Sequence, residues 1–144
     1  MTTRDLYLEI LTAWNERDAD RYAAAFAADA LIVGFDGSQV AGADIAGHLG
    51  PIFTDHPTAA YVAKVVAVRE VGGGAELVHA IAGLVPPGSN QITPALNAVQ
   101  SLLVADGRAL LFQNTPAQYH GRPDLTEQHT AELQALLANG TVLG

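Results

Sequence analysis

The stretch Ala109-Leu110-Leu111-Phe112-Gln113-Asn114-Thr115-Pro116-Ala117-Gln118-Tyr119-His120 joins an apolar run to a cluster of amides. It follows Asp106-Gly107, a dipeptide typical of tight hairpin turns. The run therefore predicts the last strand of a β-sheet, which carries the neighbouring amides Gln113 and Asn114 near its end. The rest of the chain is expected to build the platform that this strand completes.

Three more long strands are predicted before this stretch. With the last strand they form an antiparallel meander over residues 59–71, 75–85, 94–105 and 108–118. The triple glycine at residues 72–74 is a turn between the first two, and Pro86-Pro87-Gly88-Ser89-Asn90 is a loop before the third. Several of these strands are apolar at both sets of alternating positions, so both faces of the sheet are expected to be covered.

Helical spacing dominates the N-terminal part of the chain. Leu6, Ile10 and Trp14 recur at helical intervals after Thr3 or Asp5, either of which can cap a first helix. A second helix is predicted between an Asp18 cap and Asp29-Ala30, with an inner face formed by Tyr22, Ala25 and Phe26.

A short hairpin and a third helix are predicted next. The hairpin pairs residues 31–35 with residues 38–41 around the turn Asp36-Gly37. The helix runs from Gly42-Ala43-Asp44 to Asp55-His56-Pro57, and Gly50-Pro51 predicts a kink or an early stop within it. Its inward face would consist of Ile45, His48, Leu49 and Ile52.

The order of elements predicts one α+β domain over residues 1–144. A cone-shaped, curved, mainly antiparallel mixed sheet wraps three N-terminal helices, and a C-terminal helix follows. Asp124 with Glu127 predicts a capping box at the start of that last helix, and Asn139-Gly140 predicts its end. The sheet face turned away from the helices needs a cover, and a second copy of the same sheet is the simplest candidate, which predicts a homodimer.

Composition excludes several classes of partner. Apolar residues make up 49% of the 144 residues, and the formal net charge is −8 with seven Lys and Arg in total. Nucleic acids and anionic membranes need clustered basic residues, so neither is an expected partner. The chain has no cysteine, no run long enough to span a bilayer, and a polar N-terminal segment unlike a signal peptide. A cytoplasmic protein is expected.

The helix and strand order resembles the cone-shaped fold of nuclear transport factor 2, ketosteroid isomerase, scytalone dehydratase and the polyketide cyclase SnoaL. Within that superfamily the chain is similar to the SgcJ/EcaC group. The matching segments are residues 13–19, residues 26–30, Gly34 with Asp36-Gly37, Gly42 with Ile45, residues 112–116 and residues 120–123. The resemblance implies a role in polyketide biosynthesis, notably that of enediynes, but carries no catalytic motif with it.

Histidines are the candidate proton-transfer groups. The long strands carry acids only near their ends, at Glu70 and Glu76, so a buried catalytic carboxylate is not expected. His79 lies in mid-strand and can be a cavity acid or base, or a hydrogen-bonded core or interface residue. His48 can point into the mouth of the cone. The five histidines show no metal-binding spacing, so no metal is expected.

Amides in apolar strands are the second candidate feature. Asn97, Gln100, Gln113 and Asn114 can orient a carbonyl or hydroxyl of a lipophilic ligand, or can form a structural network. Strand alternation places Asn97 and Gln100 on opposite faces, and Gln113 and Asn114 likewise. We expect catalysis, if present, from His79 as acid or base, with a carbonyl or enolate held by Asn97, Gln113 or Asn114. The expected ligand-binding residues are Trp14, Phe26, Phe35, His48, Phe53, Tyr61, Asn97, Gln100, Phe112, Gln113 and Tyr119.

Three functions remain open at this point. The first is a cofactor-independent cyclase or isomerase that acts on a lipophilic polyketide or polyene intermediate. The second is a non-catalytic ligand-binding protein that accompanies a polyketide synthase, which the lack of a buried carboxylate favours. The third is a protein-interaction module that uses the apolar outer face of the sheet.

Overall fold

A computed structural model describes all residues from 1 to 144. Its helices are α1 (Thr3–Asn15), α2 (Ala19–Ala24), α3 (Ile45–Asp55) and α4 (Pro123–Ala138), and its strands are β1 (Phe26–Val33), β2 (Gln39–Ala41), β3 (Ala60–Gly72), β4 (Ala75–Val85), β5 (Asn97–Ala105) and β6 (Arg108–Pro116). No helix is both long enough and apolar enough to cross a membrane.

The six strands form one curved sheet in the order β2-β1-β6-β5-β4-β3. The predicted meander of β3 to β6 is confirmed, with every neighbouring pair antiparallel. β1 lies parallel to β6, so the sheet is mixed. The α+β cone fold that the sequence predicts is therefore confirmed, and residues 109–116 lie in β6, near the centre of the sheet.

The inner face of the sheet packs against the three N-terminal helices. Strand alternation directs Val78, Ala80 and Ala82 of β4 towards α1, where Tyr7 and Ile10 are fully buried. These residues belong to one core cluster that also includes residues of β5, β6 and α3. The main core thus lies inside the cone.

The outer face is covered over only part of its area. Helix α4 packs there through Leu133, which forms a second small core with Val62, Ile81, Val85 and Ile92. On the rest of this face, Val99, Leu103 and Leu111 are half-buried without a covering element. The chain itself therefore covers one end of the face for which the sequence predicts a partner.

The second helix is shorter than predicted, and the strand after it begins earlier. Helix α2 ends at Ala24, and Phe26 opens β1 instead of lying on the inner face of a helix. The Ala25 carbonyl accepts a hydrogen bond from the Ala109 amide on β6. Pairing with a central strand outweighs the helix propensity of the alanines in this segment.

Other boundaries also differ from the predictions. Helix α3 continues past Pro51 and ends at Asp55, as predicted, so the early stop offered by Gly50-Pro51 does not occur. Residues 94–96 form a single 3-10 turn, so β5 begins at Asn97. The expected capping box at Asp124 is wrong, because Pro123 occupies the first turn of α4 and Arg122 precedes it without a side-chain cap. Proline suits that position because its missing N–H would have no partner there in any case.

Candidate functional site

An apolar pocket lies inside the cone between α3, the β1–β2 hairpin and the centre of the sheet. Its volume is about 180 Å³. Its lining residues are Trp14, Tyr22, Ile32, Gly34, Phe35, Ser38, Val40, Ile45, His48, Leu49, Ile52, Tyr61 and Asn114. Most are apolar or aromatic, and none is an acid, a lysine or an arginine, which is typical of a site for a neutral ligand.

Residues at the C-terminal end of α1 hold the aromatic wall of this pocket in position. The indole Nε1 of Trp14 donates to the Ala59 carbonyl at 2.8 Å. The side chain of Asn15 bonds the backbone of Tyr61 twice, donating to its carbonyl at 3.0 Å and accepting from its amide at 2.8 Å. Arg17 donates to the Phe53 carbonyl at 2.7 Å and to the His56 carbonyl. The segment from Trp14 to Arg17 thus joins α1 to β3 and α3.

An aromatic cluster surrounds Trp14. Its ring centroid lies 5.1 Å from that of Phe53, 5.6 Å from that of Tyr61 and 6.1 Å from that of Tyr22. Phe26 stacks on Tyr22 at 5.5 Å. Because aromatic side chains lose little rotamer freedom on burial, this cluster forms a firm wall.

A row of buried polar side chains crosses the floor of the cone. The hydroxyl of Tyr7 lies 2.5 Å from Oε1 of Gln100. Nε2 of Gln100 lies 2.7 Å from Oδ1 of Asn114, and Nδ2 of Asn114 lies 3.2 Å from the Val33 carbonyl oxygen. Gln100 is fully buried, whereas Asn114 is 7% exposed, at the pocket.

Two phenols add neutral hydroxyls to the pocket. Burial raises the pKa of Tyr61 to about 12. Burial, reinforced by the nearby Tyr61 and Tyr7, raises the pKa of Tyr22 well above its ordinary value. Both side chains are therefore uncharged hydrogen-bonding groups at neutral pH.

His48 is the one histidine that lines the pocket. It lies on α3 and is exposed, at the mouth of the pocket. No group of three or more His, Cys, Asp or Glu side chains converges anywhere in the chain in a way that could hold a metal ion.

Five of the residues singled out from the sequence line this pocket: Trp14, Phe35, His48, Tyr61 and Asn114. Four others lie behind the lining: Phe26, Phe53, Gln100 and Phe112. Phe26 and Phe53 support Tyr22 and Trp14, and Phe112 packs edge-on against Tyr7 at 6.3 Å.

His79 and three other predicted residues lie on the outer face of the sheet instead. Strand alternation places His79 with Ile81, opposite Val78 and Ala80. Gln113 likewise faces away from Asn114. Asn97 Nδ2 donates to the Tyr119 hydroxyl at 3.0 Å and to the Thr130 hydroxyl at 3.1 Å, so both Asn97 and Tyr119 are beneath α4.

Several residues that line the pocket were not predicted as site residues from the sequence. Ile45, Leu49 and Ile52 form the inward face of α3, which helical spacing indicates, but the spacing does not show whether they border a core or a pocket. Ile32 and Val40 reach the pocket only because the hairpin folds over α3. No local pattern in the sequence marks them as site residues.

A larger depression of about 520 Å³ lies at the opposite end of α1. It is bordered by residues 1–4 and by the turns after β3 and β5. Its one acid on a strand, Glu76, accepts a hydrogen bond from the Thr3 hydroxyl at 2.7 Å. We place the candidate site in the aromatic pocket instead, because its lining is mainly apolar and aromatic.

Comparison with known proteins supports the fold. No model of a protein family matches this sequence, and no curated protein does. A domain of unknown function with a cystatin-like fold from Nostoc punctiforme superposes with a TM-score of 0.74 at 19% identity, over 96% of this chain and 98% of that chain. An NTF-2-like protein of unknown function from Shewanella oneidensis gives 0.60 at 15% identity, over 77% and 93%.

A ketosteroid isomerase-like protein from Erwinia carotovora gives a TM-score of 0.56 at 15% identity, over 77% of this chain and 90% of that chain. These likenesses show that the chain has the NTF-2-like, cystatin-like fold, as the resemblance of its element order implies. The narrower SgcJ/EcaC grouping stays a prediction.

Proposed function

We propose that the aromatic pocket binds a small, neutral, lipophilic molecule. The observation that carries this proposal is the lining itself, which is mainly apolar and aromatic and has no carboxylate, ammonium or guanidinium group. The phenols of Tyr22 and Tyr61 and the amide of Asn114 supply the few polar contacts that would orient such a ligand. One solved protein of this fold is described as ketosteroid isomerase-like, which is compatible with a small-molecule site.

Trp14 provides a direct test because it is the single tryptophan of the chain and lines the pocket. Titration with neutral aromatic ketones should change its fluorescence saturably, whereas titration with aromatic carboxylates of the same size should not. The variant Ile52→Phe fills the pocket and should abolish the change. A response that is equal for ketones and carboxylates, or unaffected by Ile52→Phe, would refute the proposal.

Proton-transfer catalysis of the isomerase or cyclase type is the second candidate function. It is favoured because the imidazole of His48 and the amide of Asn114 line the same pocket. An enolisation needs only a base for the α-carbon proton and a donor for the developing oxyanion. His79 lies on the other face of the sheet, so His48 replaces it in this proposal.

Hydrogen–deuterium exchange at the α-carbon of a bound ketone measures this activity without knowledge of the natural substrate. The protein should accelerate exchange, His48→Gln should remove the acceleration, and His56→Gln at the end of the same helix should retain it. Exchange no faster than in buffer, or undiminished in His48→Gln, would leave the binding function alone standing.

A polyketide or polyene ligand, and an accessory role beside a polyketide synthase, are narrower proposals. They are supported by the similarity of residues 112–116 and 120–123 to the SgcJ/EcaC group. Asn114 of that segment lines the pocket, which gives the similarity a physical connection to ligand binding. The enediyne assignment stays a prediction.

A homodimer through the outer face of the sheet is proposed as the assembly. Val99, Leu103 and Leu111 lie on neighbouring strands of that face and are half-buried beyond the reach of α4. A row of polar residues, His79, Ser101 and Gln113, is in register across β4, β5 and β6 on the same face. The apolar residues of this face are of the kind that form the buried core of a homodimer interface.

A further inference from the structure

The row of buried amides has a single possible orientation. It ends at the Val33 carbonyl, which can only accept a hydrogen bond, so Asn114 must present its Nδ2 group there. Oδ1 of Asn114 then faces Gln100, which must donate through Nε2. Oε1 of Gln100 is left facing Tyr7, whose hydroxyl must donate. A backbone carbonyl on β1 thus sets the direction of every hydrogen bond in the row.

This direction determines what Asn114 offers to the pocket. Its Oδ1 atom is occupied by Gln100, and one Nδ2 hydrogen is occupied by the Val33 carbonyl. The second Nδ2 hydrogen has no acceptor in the chain, although Asn114 is only 7% exposed. Asn114 therefore presents a fixed hydrogen-bond donor, and a buried donor without a partner favours any ligand that supplies an acceptor.

The rest of the lining limits that acceptor to a neutral oxygen. No lysine or arginine borders the pocket to balance an anion. The other lining side chains are mainly aliphatic or aromatic, such as Ile32 and Phe35. A carbonyl oxygen on a hydrocarbon framework satisfies the donor and the walls together, whereas a carboxylate would lose its hydration without gaining a counter-charge.

We propose that Asn114 is the recognition residue for the carbonyl oxygen of a ketone, aldehyde or ester ligand, and that Tyr7 and Gln100 are positioning residues that hold its amide in the donating orientation. This inference rests on the proposed ligand-binding function and adds the chemical class of the ligand. Neither Tyr7 nor Gln100 would touch the ligand, since both are buried behind Asn114.

A pair of probes with the same shape tests the acceptor. Acetophenone and α-methylstyrene differ in that a carbonyl oxygen replaces a methylene group. Calorimetric titration of the whole protein should show acetophenone binding roughly 5- to 10-fold more tightly, the advantage expected of one hydrogen bond to a buried donor. Equal affinities would overturn this inference and leave the binding function intact, whereas binding of neither probe would overturn both.

Variants of the row separate positioning from structure. Asn114→Leu should bring the affinity ratio of the two probes to about 1 while α-methylstyrene still binds. Tyr7→Phe removes one oxygen atom from the core and should lower the ratio by about 2- to 5-fold, because Gln100 loses the donor that fixes its direction. Ser101→Ala, next to Gln100 but on the outer face, is the matched control and should keep the wild-type ratio.

The ratio is informative because a merely structural effect would weaken both probes alike. If Asn114→Leu does not fold, the ratio measured on the wild type tests the recognition role and Tyr7→Phe tests the positioning role. A wild-type ratio in Tyr7→Phe with unchanged circular dichroism would overturn the positioning role, and a wild-type ratio in folded Asn114→Leu would overturn the recognition role.

Discussion

At the residue scale, Asn15 shows how a polar side chain at the end of a helix can serve as a strand partner. Its amide bonds both the N–H and the carbonyl of Tyr61, as a neighbouring strand would. Asn15→Ala should lower the free energy of unfolding by about 1–3 kcal/mol, because two half-buried hydrogen bonds to the backbone are lost. Chemical denaturation measures this. The exposed Gln128→Ala on α4 is the control, and an equally small effect of both variants would contradict the account.

His129 makes the stability of the protein depend on pH. Burial lowers its pKa from 6.5; Glu132 opposes this shift, and His79 adds to it. The folded state therefore holds the proton less tightly than the unfolded state, so the stabilisation is complete above about pH 6.5 and is lost as the pH falls through the lowered pKa. The melting temperature of the wild type should fall more between about pH 7.5 and about pH 5.5 than that of His129→Gln.

The comparison of the two slopes isolates His129 from the carboxylates, which titrate at lower pH. If the melting temperature falls with pH equally in both proteins, or falls more in His129→Gln, the direction of this pKa shift is contradicted. The same imidazole accepts or donates a hydrogen bond at 3.2 Å with the Tyr119 hydroxyl, so the absolute stability of the variant is not the informative quantity.

At the scale of elements, the close approach of the 3-10 turn before α3 to β1 depends on Gly42. A Cβ atom there would lie 2.0 Å from the Ala27 carbonyl oxygen, which belongs to the backbone and cannot move aside without distorting β1. Gly42→Ala should therefore cost about 1–3 kcal/mol of stability. Gly47→Ala, within α3, meets no atom within 4 Å and should instead stabilise by about 0.5–1 kcal/mol.

Thermal or chemical denaturation of the two alanine variants checks this contrast. A Gly42→Ala variant as stable as the wild type would show that the turn does not pack against β1 in this way. The pair is useful because the two glycines lie close together in sequence, while a Cβ atom meets the backbone of β1 only at Gly42.

Sequence patterns predicted which helices and strands form better than they predicted where each one begins and ends. Strand periodicity identified the meander, and strand alternation correctly separated Gln100 from Asn97 and Asn114 from Gln113. The predicted end of α2 was wrong because the Ala25 carbonyl accepts a hydrogen bond from the amide of Ala109, which is distant in the chain. The position of β6 between β1 and β5 decides which amides face the interior of the cone. The sequence therefore identified the amides but did not show which of them line the pocket.

The same limit applies to the histidines. His79 lies in mid-strand and His48 lies on a helix, and nothing local shows which of them faces the interior. The fold decides this, because β4 turns Val78 and Ala80 inward and α3 lies across the mouth of the cone. Proton-transfer candidates on strands can be assigned to a face only when the register of the sheet is known.

At the scale of the whole molecule, the outer face of the sheet predicts the assembly. Light scattering coupled to size exclusion should give twice the 15.0 kDa chain mass at micromolar concentration. Leu103→Glu should yield a folded monomer, because it places a charge within the apolar face. Val68→Glu, on the inner side of β3, should remain a dimer. A monomeric wild type would refute the interface.

Native mass spectrometry shows whether the pocket holds a small neutral molecule. The wild type and Ile52→Phe are incubated with a lipophilic extract of the producing organism, and the complexes are then weighed intact and after denaturation. We predict a small neutral adduct on the wild type that is absent from Ile52→Phe. No adduct on the wild type, or the same adduct on both proteins, would contradict the account.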